Sequence, residues 1–152
     1  MYINHFFATL LIAMLPVVEL RAGLPYGIAA GLDYPVALIA AVVGNLIPVP
    51  FIIVYVRKLF KLVREYWTSF DSAIRSLEER AHLKGRIVKK YSFLGLVLLV
   101  AIPLPGTGAW TGALVAAMLD IRLKKAFPAI LLGVLIAAAI MTAVTYGVLG
   151  VL

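Results

Sequence analysis

The sequence contains no cysteine and, among its 152 residues, only two histidines, His5 and His82, which lie far apart in the chain. The lack of cysteine excludes disulfide bonds, thiolate metal sites and cysteine catalysis. The sequence also lacks a nucleophile elbow, a phosphate-binding loop and any cluster of residues with metal-ligand spacing. We therefore predict a protein that is not an enzyme and that has no catalytic residue, metal site or cofactor.

Acidic residues are scarce, and the basic residues are concentrated in one segment. Seven Asp and Glu stand against fourteen Lys and Arg, which gives a net charge of +7, while 64% of the residues are hydrophobic. Ten of the fourteen basic residues lie in 57–90. A basic segment beside membrane spans is explained by cytoplasmic orientation and anionic lipid headgroups. We predict a multi-pass protein of the inner (plasma) membrane, with 57–90 on the cytoplasmic side and no nucleic-acid partner.

Four apolar stretches organise the chain, at about 5–32, 35–56, 92–119 and 126–152. The second and fourth have the length of about 20 residues that one helical crossing needs. The first and third span 28 residues each and are interrupted midway by proline and glycine. Each half of such a stretch forms a helix of only about 20 Å, too short to cross. This pattern predicts two re-entrant helical hairpins.

The two interrupted stretches resemble each other. At an offset of 85 residues, Gly23 aligns with Gly108 and Gly27 with Gly112, within segments 15–27 and 102–112. Arg122 and its basic neighbours in 122–125 fall on the side of the basic segment only if 92–119 enters the membrane and returns. The first hairpin then enters from the opposite side. We predict one all-α membrane domain with two inverted repeats, about 5–56 and 91–152, joined by connector 57–90.

The connector carries apolar residues at spacings of three and four, which predicts a cytoplasmic amphipathic helix. We interpret this helix as a connector that lies on the membrane interface. The alternatives are a regulatory or lipid-sensing arm and an antiparallel dimer contact. The apolar positions are Phe60, Val63, Trp67, Phe70, Ile74, Leu77 and Ala81.

Glu19 and Arg21 are the only charged residues inside an interrupted apolar stretch, near the tip of the first hairpin. A charged group at membrane depth is costly, and it usually faces a cavity or a partner. We interpret Glu19 as the group that exchanges a coupling proton and Arg21 as the group that holds an anionic part of a substrate. The alternative is structural, with the two side chains pairing with each other or capping broken helix ends.

The turn that interrupts the second hairpin, within 102–112, is called the second turn below. It contains no charged residue, so its contribution to a site would come from its backbone. Glycines allow peptide N–H groups to approach a ligand, and a helix that starts near Ala109 would direct its N-terminus at an anion. The alternative is a tight hairpin tip that packs closely. Asn45 is a weaker candidate that more simply bonds the backbone freed by Pro48 and Pro50. The predicted substrate- or ion-binding residues are Glu19, Arg21, Gly23, Pro25, Asn45, Pro103, Pro105, Gly106, Thr107, Gly108, Trp110 and Thr111.

Segments 19–27 and 103–112 resemble the two signatures of the putative small multi-drug export protein family, and the similarity extends over nearly the whole chain. That family is thought to be distantly related to the DedA superfamily, which includes VTT-domain lipid scramblases. The resemblance implies facing re-entrant hairpins and movement of substrates or lipids across the bilayer. In DedA members an acidic residue of the first hairpin and arginines of the second are considered important for proton-dependent function and for translocation of a lipid carrier. Glu19 matches the acidic residue, whereas the second hairpin contains no arginine and Arg21 lies in the first.

The sequence thus predicts a transporter for a small amphipathic or anionic substrate, such as a drug-like compound or a lipid carrier. We expect proton coupling, alternating access between two facing turns and a homodimer, because two full crossings enclose a path poorly. The expected partners are membrane lipids, the substrate and protons. A passive DedA-like lipid scramblase or lipid-carrier flippase, an ion channel and a non-transporting membrane scaffold are the alternatives.

Overall fold

A computed structural model describes residues 2–66, 92–104 and 106–149. These residues form helices and no strand, which confirms the all-α prediction. The part of the predicted connector from residue 67 to residue 90, and Pro105 of the second turn, lie outside the described residues. The helices are α1 (Tyr2–Met14), α2 (Glu19–Ala29), α3 (Tyr34–Leu46), α4 (Pro48–Tyr66), α5 (Ser92–Ala101), α6 (Ala109–Met118) and α7 (Leu123–Leu149).

Two helical segments of the described chain are long and apolar enough to cross a membrane, Tyr34–Leu59 and Leu123–Gly147. The first runs through α3 into α4, because Ile47 between them keeps helical angles, with φ −52° and ψ −48°. Pro48 and Pro50 lack the N–H that would complete the helical ladder there. Helix α4 continues to Tyr66, so the first ten residues assigned to the connector extend this helix.

The first half of the chain is held together by close packing of α1, α2 and α3. A Cβ added at Gly44 of α3 would lie 2.3 Å from the carbonyl oxygen of Leu10, and one at Gly23 of α2 would lie 2.8 Å from the Cβ of Ala13. Glycine at these positions lets the helix backbones approach each other, as in many membrane helix pairs.

The second half is arranged differently. Helix α5 packs on α7, and Gly133 allows this because a Cβ there would lie 2.6 Å from the Cβ of Val100. Helix α6, in contrast, packs chiefly on α4, which comes from the first half of the chain. The two halves therefore interlock through α4 and α6. One buried hydrophobic cluster spans both, with Leu20, Leu24, Ile53, Leu96, Val100, Ile130 and Val134 among its largest members.

Two aspartates that end the α2 and α6 segments make side-chain contacts with other helices. The Tyr2 hydroxyl donates to Asp33 Oδ2 at 2.8 Å, and Arg57 Nε lies 2.9 Å from Asp120 Oδ1. Asp33 is at the N-cap of α3 but makes no side-chain capping hydrogen bond, and Asp120 has a left-handed backbone with φ 55°. Both carboxylates therefore connect helices rather than cap one.

We predict that Gly44→Ala destabilises the fold by about 2–4 kcal/mol, because the new methyl group collides with backbone in a packed interface. Gly147→Ala is the matched control, since it also lies in a helix but has no atom within 4 Å of the added Cβ. It should be neutral or stabilising by up to about 1 kcal/mol, as alanine is the better helix former. Thermal or denaturant unfolding in detergent measures both. Equal effects would show that the α1–α3 contact tolerates a wider separation.

Candidate functional site between the two turns

The structure brings the two interrupted stretches together at one point. Glu19 Oε2 accepts a hydrogen bond from the N–H of Ala109 at 3.2 Å, and Oε1 accepts one from the N–H of Trp110 at 3.1 Å. Glu19 is only 4% exposed. A side chain of the first stretch thus bonds the first two backbone N–H groups of α6 in the second, some 90 residues away.

The backbone around Glu19 directs its carboxylate out of the first turn. Its N–H donates to the carbonyl of Leu15 at 3.1 Å, which closes the turn that precedes α2. Glu19 itself has φ 49°, in the left-handed region. A residue with a side chain occupies that region at a cost of about 1–2 kcal/mol. Strained backbone of this kind is common at functional positions.

Gly108 makes room for the carboxylate. It is the N-cap of α6, with φ 124°, and a Cβ there would lie 2.0 Å from Glu19 Oε2. Because glycine has no side chain, α6 receives no capping group from its own N-cap residue. The Glu19 carboxylate fills that role and places its negative charge at the positive end of the helix dipole.

Arg21 binds the other side of the second turn. Its guanidinium donates to the carbonyls of Leu104 and Thr107 and, at 2.9 Å, to the hydroxyl of Thr107. Carbonyl oxygens at the end of a helix and in a following turn carry partial negative charge, which a cation stabilises. Glu19 and Arg21 form no ion pair with each other within the described chain, since each contacts the second turn instead.

The second turn is braced by its own hydroxyls. The Thr107 hydroxyl lies 2.6 Å from the carbonyl of Ile102 and accepts from the N–H of Leu104 at 3.1 Å. The Thr111 hydroxyl donates to the carbonyl of Gly106 at 3.1 Å. Since these bonds hold the turn in shape, both threonines act on its geometry as well as on the surface it presents.

Trp110 and Asn45 connect the contact to α1 and α3. The indole N–H of Trp110 donates to the carbonyl of Met14, the last residue of α1, at 3.0 Å. Asn45 is 3% exposed, and its side-chain amide approaches the Glu19 carboxylate. Its Oδ1 has no hydrogen-bond partner in the described chain. The predicted bond from its amide N–H to backbone freed by Pro48 or Pro50 stays a prediction.

The structure thus brings together eight of the twelve predicted site residues: Glu19, Arg21, Asn45, Gly106, Thr107, Gly108, Trp110 and Thr111. Gly23 instead faces Ala13 and Thr9 in the α1–α2 interface. Pro25 lies within α2, and Pro103 is half-buried just after α5.

Some residues that the sequence did not indicate contribute to the contact around Glu19 and Arg21 through their backbone. The carbonyls of Leu104 and Met14 and the N–H of Ala109 are all direct partners in the contact. Their side chains carry no chemical signal, so only the predicted start of α6 near Ala109 indicated one of them.

The fold and the site define an all-α membrane protein in which the start of α2 and the proline- and glycine-containing second turn meet through a buried carboxylate and a guanidinium. The family model described as putative small multi-drug export protein matches residues 19–140. The chain therefore belongs to that family, which confirms the resemblance. Comparisons with curated proteins and with solved structures find no match.

We predict that Gly108→Ala destabilises the protein more than Gly106→Ala does. Both glycines have positive φ, but a Cβ at Gly106 has no atom within 4 Å. Gly106→Ala is the control, and it should lower the free energy of unfolding by about 1–2 kcal/mol from backbone strain alone. Gly108→Ala should lower it by about 2 kcal/mol more, because the new methyl group displaces Glu19. In a Glu19→Ala background the excess should largely disappear, which a double-mutant cycle of unfolding free energies measures. Additive effects would contradict the contact.

We also predict that Arg21→Lys weakens the contact by about 1–2 kcal/mol, because one ammonium cannot reproduce the forked geometry of the guanidinium. Arg122→Lys is the control, since Arg122 is exposed and should change stability by less than about 0.5 kcal/mol. Unfolding midpoints in detergent compare the two. If the Arg21→Lys protein is as stable as the Arg122→Lys protein, the forked hydrogen bonds of the guanidinium contribute little to stability.

Proposed function

We propose that this chain is a proton-coupled transporter for a small anionic or amphipathic substrate, with its site at the contact between the two turns. The observation that carries the proposal is the buried Glu19 carboxylate on the N-terminus of α6. An exposed pair of N–H groups at a helix N-terminus is a good anion site. Here a titratable side chain of the same protein occupies that site.

The proposed mechanism is competition for the α6 N-terminus. While Glu19 is ionised, its two oxygens hold the N–H groups of Ala109 and Trp110, and the turns stay together. Protonation removes the negative charge and weakens both hydrogen bonds, because charge-assisted bonds are the stronger ones. The N–H groups then become available to a carboxylate, sulfonate or phosphate of the substrate. Proton binding and substrate binding are thereby coupled at one place.

Arg21 and Asn45 have supporting roles in this proposal. Arg21 keeps the second turn close through its carbonyls, and it can exchange one of them for an anionic oxygen of the substrate. Asn45 offers an amide that can donate to ionised Glu19 or, after rotation, accept from protonated Glu19. Its unpartnered Oδ1 supports such a second orientation.

We further propose the membrane arrangement that the sequence predicted. The helix pairs α1–α2 and α5–α6 are re-entrant hairpins of two inverted repeats, and α3–α4 and α7 are the crossings. The short helices of 13, 11, 10 and 10 residues support this, since none spans a hydrocarbon core alone. In this arrangement the protein lies in the inner membrane, with the basic connector cytoplasmic, and functions as a homodimer.

The proposal predicts that Glu19→Gln abolishes the effect of a pH gradient on uptake by proteoliposomes, because glutamine cannot exchange a proton. Radiolabelled taurocholate serves as the anionic amphipathic probe and ethidium as the cationic one. Wild-type protein should accumulate taurocholate several-fold when a pH gradient is imposed, and Glu19→Gln should retain only gradient-independent exchange. Asp33→Asn, which removes an exposed carboxylate near the start of α1, should behave as wild type.

Other outcomes distinguish the alternative functions. Movement of fluorescent phosphatidylglycerol that Glu19→Gln leaves unchanged would identify a passive scramblase. Conductance far above transporter turnover in planar bilayers would identify a channel. If wild-type protein shows no substrate uptake, no lipid movement and no conductance, the result would contradict a transport role and favour a scaffold.

A further inference from the structure

A second concave surface lies away from the two turns, between α4 and the start of α7. Pro50, Leu123, Lys124, Phe127 and Pro128 line this groove, whose volume is about 420 Å³. None of these residues takes part in the contact around Glu19. Apart from Lys124, the lining side chains are apolar, so the groove suits a hydrocarbon with one charged end.

The groove begins where α7 starts, beside the exposed basic residues, and runs from there toward the middle of the membrane. Its basic end is called the outer end below, and the opposite end the inner end. Arg57 near the middle of α4 donates to the carbonyl of Ile121 at 2.6 Å, just before α7 begins, while Pro50 lines the groove together with Phe127. Helices α4 and α7 therefore run antiparallel here. Pro50 lies seven residues before Arg57 in the helix, which places it about 10 Å further in. Lys124 is exposed at the outer end, and Pro50 lies at the inner end.

The charge at the outer end is positive. Arg122, Lys124 and Lys125 are all exposed, and the carboxylate nearest in sequence, that of Asp120, pairs with Arg57. Basic residues at the membrane surface attract anionic lipid headgroups, by about 1 kcal/mol per residue. The outer end of the groove therefore complements a phosphate.

The backbone adds one polar group beside this charge. Pro128 has no N–H, so the carbonyl of Lys124 lacks its usual helical donor four residues on. Backbone freed by proline within a membrane needs another partner. A hydroxyl of a lipid headgroup is a donor of the right kind, at the same residue that offers the ammonium.

We propose that this groove binds one anionic phospholipid, with its phosphate on the Lys124 ammonium and an acyl chain lying along Phe127 toward Pro50. A neutral zwitterionic lipid gains less there, because its own ammonium opposes the positive rim. The bound lipid fills the gap between α4 and α7 and so joins the two halves of the chain at their charged end.

Native mass spectrometry of protein released from nanodiscs tests this, with phosphatidylglycerol and phosphatidylcholine as the two probes. Wild-type protein should retain one phosphatidylglycerol per chain at least several-fold more than phosphatidylcholine. Lys124→Gln should reduce that retention to near the phosphatidylcholine level. Lys125→Gln is the matched control, since it removes the same charge from an exposed neighbour that does not line the groove.

A second variant tests the apolar part without changing charge. Leu123→Trp fills the groove and should lower phosphatidylglycerol retention as strongly as Lys124→Gln, while circular dichroism confirms that the helices are intact. Equal losses for Lys124→Gln and Lys125→Gln would overturn the proposal in favour of general surface charge. Undiminished retention by Leu123→Trp, or equal retention of both lipids by wild type, would also overturn it. These outcomes do not depend on whether the protein transports.

Discussion

The placement of one carboxylate on the N-terminus of α6 determines how the two halves of this protein meet. Burying an ionised group at membrane depth costs at least about 2.5 kcal/mol on insertion scales. Two charge-assisted hydrogen bonds return about 1.5–3 kcal/mol each, and the helix dipole adds about 0.3–2 kcal/mol. The hydrogen bonds and the helix dipole therefore offset the cost of burying this group. In the proposed mechanism, a proton or a competing anion changes this balance.

The two turns contribute different chemistry to this contact. The start of α2, just after the first turn, supplies the side chains of Glu19 and Arg21. The second turn supplies carbonyls, and the start of α6 that follows it supplies backbone N–H groups. This division explains why the second turn contains glycine and threonine rather than charge. Gly108 must leave space for an incoming oxygen, and Thr107 must hold the carbonyls where a guanidinium can reach them. A second charged pair in that turn would compete with the first.

The sequence was informative where a residue type has a direct physical meaning. Proline and glycine at 103–108 predicted a turn followed by a helix, and isolated charge in an apolar stretch drew attention to Glu19 and Arg21. Apolar length likewise predicted the crossings at 35–56 and 126–152. Packing partners were not predictable in this way, because the apolar faces of α6 and α4 resemble every other apolar face of the chain.

Backbone partners were hidden for a related reason. Leu104 and Met14 act through carbonyl groups that every residue possesses, and only their position in space makes them special. Asn45 was read from its neighbours Pro48 and Pro50, and its amide also approaches the Glu19 carboxylate. The local sequence indicated a polar residue at this position, but it could not indicate which groups the packing of the helices brings near it.

The packing also constrains how the two turns could separate. Helices α1, α2 and α3 form one closely packed group, and α6 rests chiefly on α4. Between α3 and α4, Pro48 and Pro50 remove two hydrogen bonds from the helical ladder, which makes that point the weakest in the first crossing.

A small bend at Pro48 and Pro50 would carry α4 and α6 together, away from Glu19. The hydrogen bonds of Glu19, Arg21 and Trp110 resist that bend, because each joins the first group to the second turn or to the start of α6. Local chemistry at the carboxylate and movement of a whole helix pair are therefore the same event in the proposed mechanism.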